Sequence, residues 1–171
     1  MRQDGSILAG VNITIGEPNI PANVPIKMRV GVRGVAVNQG KLLMIIGNHG
    51  YYSFAGGGIE PGETIEEAVR REMLEETGYS VACVSRILGI EQNYKISRVI
   101  DNVFYHMIYY ICECHIDMNS QAMQQLETHE AAAGLRCAWV KPQDAIKQNC
   151  AVGVVEYNRE IEIMQIAYNQ P

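Results

Sequence analysis

Residues 56–79 read Gly56-Gly57-Gly58-Ile59-Glu60-Pro61-Gly62-Glu63-Thr64-Ile65-Glu66-Glu67-Ala68-Val69-Arg70-Arg71-Glu72-Met73-Leu74-Glu75-Glu76-Thr77-Gly78-Tyr79. The opening is too rich in Gly and Pro for regular structure. Thr64 followed three residues later by Glu67 is a capping-box start. Residues 65–77 are good helix formers, and Gly78 is a stop signal. At about 100° per residue, Ile65, Val69 and Met73 form an apolar stripe. Glu72 and Glu76 fall on or beside that stripe, Glu75 on its other flank, and Glu67, Arg70 and Leu74 opposite.

Three carboxylates at the edge of a buried face are costly. Like charges at i,i+3 and i,i+4 each destabilise a helix by a few tenths of a kcal/mol. Glu75 and Glu76 also lie in the last turn, where the helix dipole disfavours them by about 0.3–1 kcal/mol. Partial burial adds a desolvation penalty. The sequence shows no cation for each acid, which points to one supplied from outside, and hard carboxylate oxygens favour Mg²⁺ or Mn²⁺. On spacing alone, a solvated acidic face paired with Arg70 and Arg71 competes with this reading. The Gly triplet just ahead of the helix, which lets backbone approach a ligand closely, tips the balance toward a metal site.

Gly57, five residues, Glu63, seven residues, then Arg71-Glu72-Met73-Leu74-Glu75-Glu76-Thr77-Gly78-Tyr79 resembles the 23-residue signature of the Nudix hydrolase family. Every Gly, Glu and Arg of that pattern is present; Met73 and Tyr79 replace the usual branched aliphatic residues with other bulky apolar ones. The resemblance implies an α/β fold, a Nudix-like α/β/α sandwich with a mixed β-sheet. It implies a catalytic set of Glu72, Glu75, Glu76, Arg71 and Glu63. Glu72, Glu75 and Glu76 would ligate Mg²⁺ (or Mn²⁺), with the Gly56 carbonyl a further ligand. Glu63 and Arg71 would brace the loop against the helix. The general base would be a helix Glu or a distal acid, for which Glu127 and Glu130 are the candidates. The implied function is metal-dependent hydrolysis of a phosphoanhydride bond in a nucleoside diphosphate linked to another moiety. The alternative is a nucleotide-sensing Nudix-like domain without turnover; the intact acid cluster favours the enzyme.

Outward from the motif, residues 28–37 alternate partly, as a half-buried strand does. Residues 38–40 form a turn and 41–46 a second strand, giving a hairpin; 51–54 make a third. After the helix come strands at 81–91 and 103–115. The second is apolar almost throughout, which predicts a central place in a sheet. A polar loop covers 117–131 and a strand 135–140. Pro142 opens a short helix to Lys147, and a last helix spans 154–168. Residues 1–25, with Pro18, Pro21 and Pro25, read as an extension packed on a domain of residues 26–171, with a short strand at 11–15. Tyr51, Tyr52, Phe54 and Tyr94 read first as half-buried strand residues, with stacking on a base as the alternative. Lys95 and Arg98 are candidates to meet a phosphate.

The chain has 171 residues and a formal net charge of −5, with 47% hydrophobic residues. That balance argues against a groove for a nucleic acid polymer and leaves a small-molecule nucleotide as partner. No stretch approaches the roughly 20 apolar residues of a membrane span, and no signal peptide is read. The five cysteines are odd in number and widely spread, which fits reduced thiols and a cytoplasmic location. Cys112 and Cys114 read as small buried side chains, and His49, His106, His115 and His129 show no metal spacing. The apolar content makes a homodimer an expectation.

Overall fold

The structure is a computed structural model that describes residues 11–15, 24–96, 103–153 and 158–168. Two long strands dominate it. β6 (Val81–Ile96) and β7 (Phe104–Ile116) run antiparallel from Val81↔Ile116 to Ile96↔Phe104. β2 (Ile26–Val35) lies parallel to β7, and β1 (Val11–Ile15) parallel to β6, giving a mixed four-stranded sheet in the order β1-β6-β7-β2. The apolar β7 is central, as its composition predicts. β6 continues past Glu91 to Ile96 because β7 pairs with it over that whole length.

The run expected as one strand over 28–37 divides between two sheets. After β2, Ala36 belongs to neither strand, its carbonyl accepting the Leu43 N–H at 3.0 Å, and the chain resumes as β3 (Val37–Asn38) in a second sheet. There β3 forms a hairpin with β4 (Lys41–Ile46) through a turn in which Gln39 and Gly40 both have positive φ, at 49° and 70°. That is the turn whose twist matches a two-residue hairpin. β5 (Tyr52–Ser53) and β8 (Arg136–Val140) also pair with β4.

The expected helix at 65–77 forms as α1 (Ile65–Thr77). The Thr64 hydroxyl accepts the Glu67 N–H at 3.2 Å, and the Glu67 carboxylate accepts the Thr64 N–H at 2.8 Å. At the other end Gly78, in the left-handed region at φ 76°, donates its N–H to the Leu74 carbonyl. A Cβ there would land on the Ala122 carbonyl oxygen, so glycine is required by both backbone and space. Three further carbonyls of that end meet donors from residues 122–125: Gln125 N–H reaches Glu75 at 2.7 Å, Ala122 N–H reaches Gly78 at 2.8 Å, and the Gln124 side-chain amide reaches Glu76, while the Thr77 carbonyl accepts the Cys137 thiol at 3.2 Å. These bonds satisfy orphan groups that would otherwise be left bare.

α1 is wedged between the sheets. Its Ala68, Val69 and Met73 are buried with Val32 and Cys112 of one sheet and Leu43 and Ile45 of the other. On the far side, α3 (Pro142–Val152) and α4 (Asn158–Tyr168) close a second core, in which Ala145, Ile163, Met164 and Ala167 meet Val35, Leu42, Met44, Phe54 and Ile111. Helices thus cover both sides of the strands, the α/β/α arrangement. α3 runs five residues past its expected end at Lys147. The extra length places buried Asn149 against Tyr52, whose N–H it accepts at 2.7 Å and whose carbonyl it bonds at 2.8 Å, before Gly153 ends the helix. The stretch expected as an unbroken loop at 117–131 contains the start of a short helix, α2 (Thr128–Ala132). Residues 154–157 of the expected last helix lie outside the described residues, as does most of 1–25. Cys112 and Cys114 are buried, and burial pushes both thiols up to about 12.

Candidate active site

The Gly-rich loop is fastened along the outer edge of β2. Gly34 and Val32 donate their N–H groups to the Ala55 and Gly57 carbonyls, both at 2.9 Å, and Ile59 N–H reaches the Val30 carbonyl at 3.0 Å. The loop backbone thereby lies against the inward face of α1. At Gly57 a Cβ would fall on the Glu72 carboxylate. Only a residue without a side chain lets that acid touch the loop, which is why the local spacing of glycine and glutamate matters.

Arg71 ties the two pieces together. Its Nε and Nη2 donate to Glu63 at 2.8 and 3.0 Å, Nη2 also to the Gly58 carbonyl at 2.9 Å, and Nη1 to Glu72 at 2.8 Å and Glu75 at 3.3 Å. The Arg71 hydrogen bonds hold the Glu63 carboxyl below the usual range. Glu63 meets Arg71 as expected, and Glu72 and Glu75 share the same guanidinium, so there is one cation for three acids rather than one for each. Glu76 differs. It is 8% exposed, accepts the Gly56 N–H at 2.9 Å, and forms no ion pair among the described residues. Burial pushes its carboxyl up to about 8, against the Gly56 hydrogen bond and the more distant charge of Arg33. Glu72, also buried, is raised by burial despite Arg71.

The donor set suits a hard divalent cation: carboxylate oxygens on one helix face, two of them buried and one without a counter-charge in contact. Among the described residues no three acidic, imidazole or thiol side chains converge on a common point, and Arg71 bonds oxygens of Glu72 and Glu75. Of the two distal acids, Glu130 lies close enough for its charge to raise both Glu72 and Glu76. Its carboxylate also accepts the Glu127 N–H at 2.8 Å. The Glu127 side chain is exposed and within 3.1 Å of the His129 ring.

The aromatic candidates separate. Phe54 is 1% exposed in the second core and is not a stacking surface for a ligand. Tyr94 stacks on His106, with centroids 4.3 Å apart, and that imidazole is 2.9 Å from the Gln92 side chain. Tyr51 stacks loosely on His49. Arg98 and the Lys95 side chain lie outside the described residues.

Sequence reasoning missed Arg33, Glu91 and Glu160. Arg33 is largely buried beneath the loop, with its guanidinium 4.6 Å from the Tyr109 ring centroid and its Nε 4.0 Å from Glu91. Glu91 and Glu160 are fully buried. The sequence carries a weak signal: Arg33 follows Val32 and Glu91 follows Leu88-Gly89-Ile90, and a charge set against apolar neighbours in a strand calls for a buried partner. Naming the partner required the tertiary structure.

A model of the NUDIX domain matches residues 27–156, and the chain belongs to the Nudix family. It is 33% identical over 105 residues to nucleoside triphosphatase NudI of Escherichia coli, a match covering 57% of this chain and 66% of that protein, just under two thirds of its length. A NUDIX hydrolase from Nitrosomonas europaea superposes with a TM-score of 0.55 at 23% identity, over 85% of this chain and 93% of that one. A MutT NUDIX hydrolase from Burkholderia pseudomallei gives a TM-score of 0.51 at 20% identity, over 75% and 98%. The likeness to these two structures is one of fold. Among the described residues no helix is long and apolar enough to cross a membrane.

Proposed function

We propose that the protein is a Mg²⁺- or Mn²⁺-dependent pyrophosphohydrolase that cleaves a P–O–P linkage of a small nucleotide. The observation that carries this reading is Glu76, a buried carboxylate held by a loop N–H, next to buried Glu72 and with no cation in contact among the described residues. Glu72, Glu75 and Glu76, with the Gly56 carbonyl, would hold the ion. When bound, such an ion neutralises charge on adjacent phosphate oxygens and makes water a better nucleophile at neutral pH. Arg71 and Glu63 keep the loop at a fixed distance from the helix, so the acids meet the substrate in one geometry. Glu130 takes the proton of the attacking water, and its electrostatic reach to Glu72 and Glu76 supports that role. The family relative named a nucleoside triphosphatase makes nucleoside triphosphates the first substrates to test.

A panel of nucleoside triphosphates, ADP-ribose, sugar nucleotides, dinucleoside polyphosphates and NADH with Mg²⁺ or Mn²⁺ tests the reading. Turnover is expected for at least one member, with none in excess EDTA and ¹⁸O from labelled water appearing in a phosphate product. Hydrolysis indifferent to chelator would remove the metal site. Tight binding with no cleavage would favour a sensor.

The same assay separates the two distal acids. Glu130→Gln is expected to lower kcat by about 100-fold, the usual size of a general-base contribution, whereas Glu127→Gln leaves it unchanged. A reversed order of effects would exclude Glu130 as the base.

A further inference from the structure

The peptides that lead into the Gly-rich loop are held from three directions. The Phe54 N–H donates to the Glu160 carboxylate of α4 at 3.2 Å, and the Phe54 carbonyl accepts Arg33 Nη1 at 3.4 Å. The Ala55 carbonyl accepts the Gly34 N–H of β2 at 2.9 Å. The Gly56 N–H then donates to Glu76 of α1 at 2.9 Å. Glu160 also stands foremost among the anions that favour the charge of Arg33, ahead of Glu91 and Glu76. One fully buried acid therefore accepts the Phe54 N–H and favours the charge of the guanidinium that bonds the Phe54 carbonyl.

Packing does not account for this arrangement. Ile163, Met164 and Ala167 already anchor α4 in the second core. Burying Glu160 and Glu91 fully, with Arg33 largely buried beside them, carries a desolvation penalty that apolar side chains of the same volume would avoid. What an ionic group adds to apolar anchoring is direction: a carboxylate fixes where an N–H points, and an alkyl group does not. The direction fixed here belongs to Phe54, two residues from the amide that holds Glu76. α4 lies beyond residues 27–156, the part matched by the family model.

We propose that Glu160 is a positioning residue for the reaction centre: with Arg33 it fixes the Phe54–Gly56 backbone so that the Gly56 N–H holds Glu76 in place to bind the ion. The last clause rests on the metal reading of Glu76; the effect on the Gly56 amide does not.

Glu160→Gln retains a hydrogen-bond acceptor without the charge, and Glu160→Asp retains the charge but withdraws it by one methylene. Glu162→Gln, exposed on the same helix, is the control. The readouts are the Gly56 amide resonance of the metal-free protein in a ¹⁵N–¹H spectrum, and Mn²⁺ affinity by calorimetry with MnCl₂. Both Glu160 variants are expected to shift the Gly56 amide and weaken Mn²⁺ binding about tenfold, the usual effect of losing a group behind a ligand. kcat falls in step, and KM for the nucleotide changes by less than about threefold, since substrate contacts are intact. Glu162→Gln behaves as the parent. A folded Glu160 variant with the parent's Gly56 resonance and Mn²⁺ affinity would overturn the proposal. If neither Glu160 variant folds, Glu160 belongs to the core and the proposal also fails. A parent protein that binds no Mn²⁺ would count against the metal reading of the site and leave the Gly56 amide to judge Glu160.

Discussion

Glu76→Gln is expected to lower kcat by about a thousandfold, equivalent to about 4 kcal/mol of lost transition-state stabilisation, while the metal-free protein becomes more stable at neutral and alkaline pH. The two effects have one cause. The Glu76 carboxyl is buried and pushed up from 4.5 to about 8. Below 4.5 both folded and unfolded chains carry the proton. Between 4.5 and about 8 the unfolded chain releases it and the folded chain keeps it. The unfolded state then binds fewer protons, so stability falls as pH rises through that window and levels off above it. The loss is on the order of a few kcal/mol. Glutamine has no proton to lose, so the substitution removes this slope.

Urea denaturation of the metal-free protein at pH 5 and pH 8 checks the stability half. The parent is expected to be the less stable at pH 8, and Glu76→Gln nearly flat. Calorimetry in buffers of different ionisation enthalpy checks the ligand half, because loading with Mg²⁺ at pH 7 is expected to release a proton into the buffer. A parent that gains stability from pH 5 to pH 8, or a Glu76→Gln variant with parental kcat, would refute the assignment. Glu72→Gln is expected to behave in the same direction, with a smaller stability gain because Arg71 already compensates that acid at 2.8 Å.

Arg71→Ala is expected to fail in the opposite way, losing stability and activity together. Its guanidinium serves Glu63, Glu72, Glu75 and the Gly58 carbonyl at once. Removing it leaves buried Glu72 without a counter-charge and unties the loop from the helix. Stranding one partner of a buried pair typically costs about 3–5 kcal/mol; with Arg71 25% exposed, water moderates that figure. A loss of about 2–3 kcal/mol is therefore expected, with kcat down by about 100-fold, a typical cost for a group that orients metal ligands. Arg71→Lys recovers part of the stability and little of the activity, since one ammonium cannot replace a planar fork that reaches several acceptors. Thermal melts with and without saturating Mg²⁺, alongside kcat, decide this. Arg71→Ala at parental stability would show that the network seen around it is energetically idle.

The features legible in the sequence are short-range. The caps of α1, its inward acids Glu72 and Glu76, the turn at Gln39 and Gly40 and the central place of β7 each follow from residues within a few positions of one another. Helix periodicity, a capping box and a hairpin turn are local physics, and the Gly57-to-Tyr79 spacing carries the family resemblance by itself. The tertiary structure decided everything that depends on two distant segments meeting. It split the run at 28–37 between sheets, since no local signal separates β2 from β3 around Ala36. It extended β6 to Ile96, because strand length is set by the partner strand, and α3 to Val152, because Asn149 bonds to Tyr52 about a hundred positions away. It gave Arg71 its four acceptors and brought the charge of Glu130 within reach of Glu72 and Glu76. Above all it brought Arg33, Glu91 and Glu160 from three separate elements beneath the loop. A buried charge announces in sequence that a partner exists; which residue answers is settled only when the chain closes and water is excluded from between them.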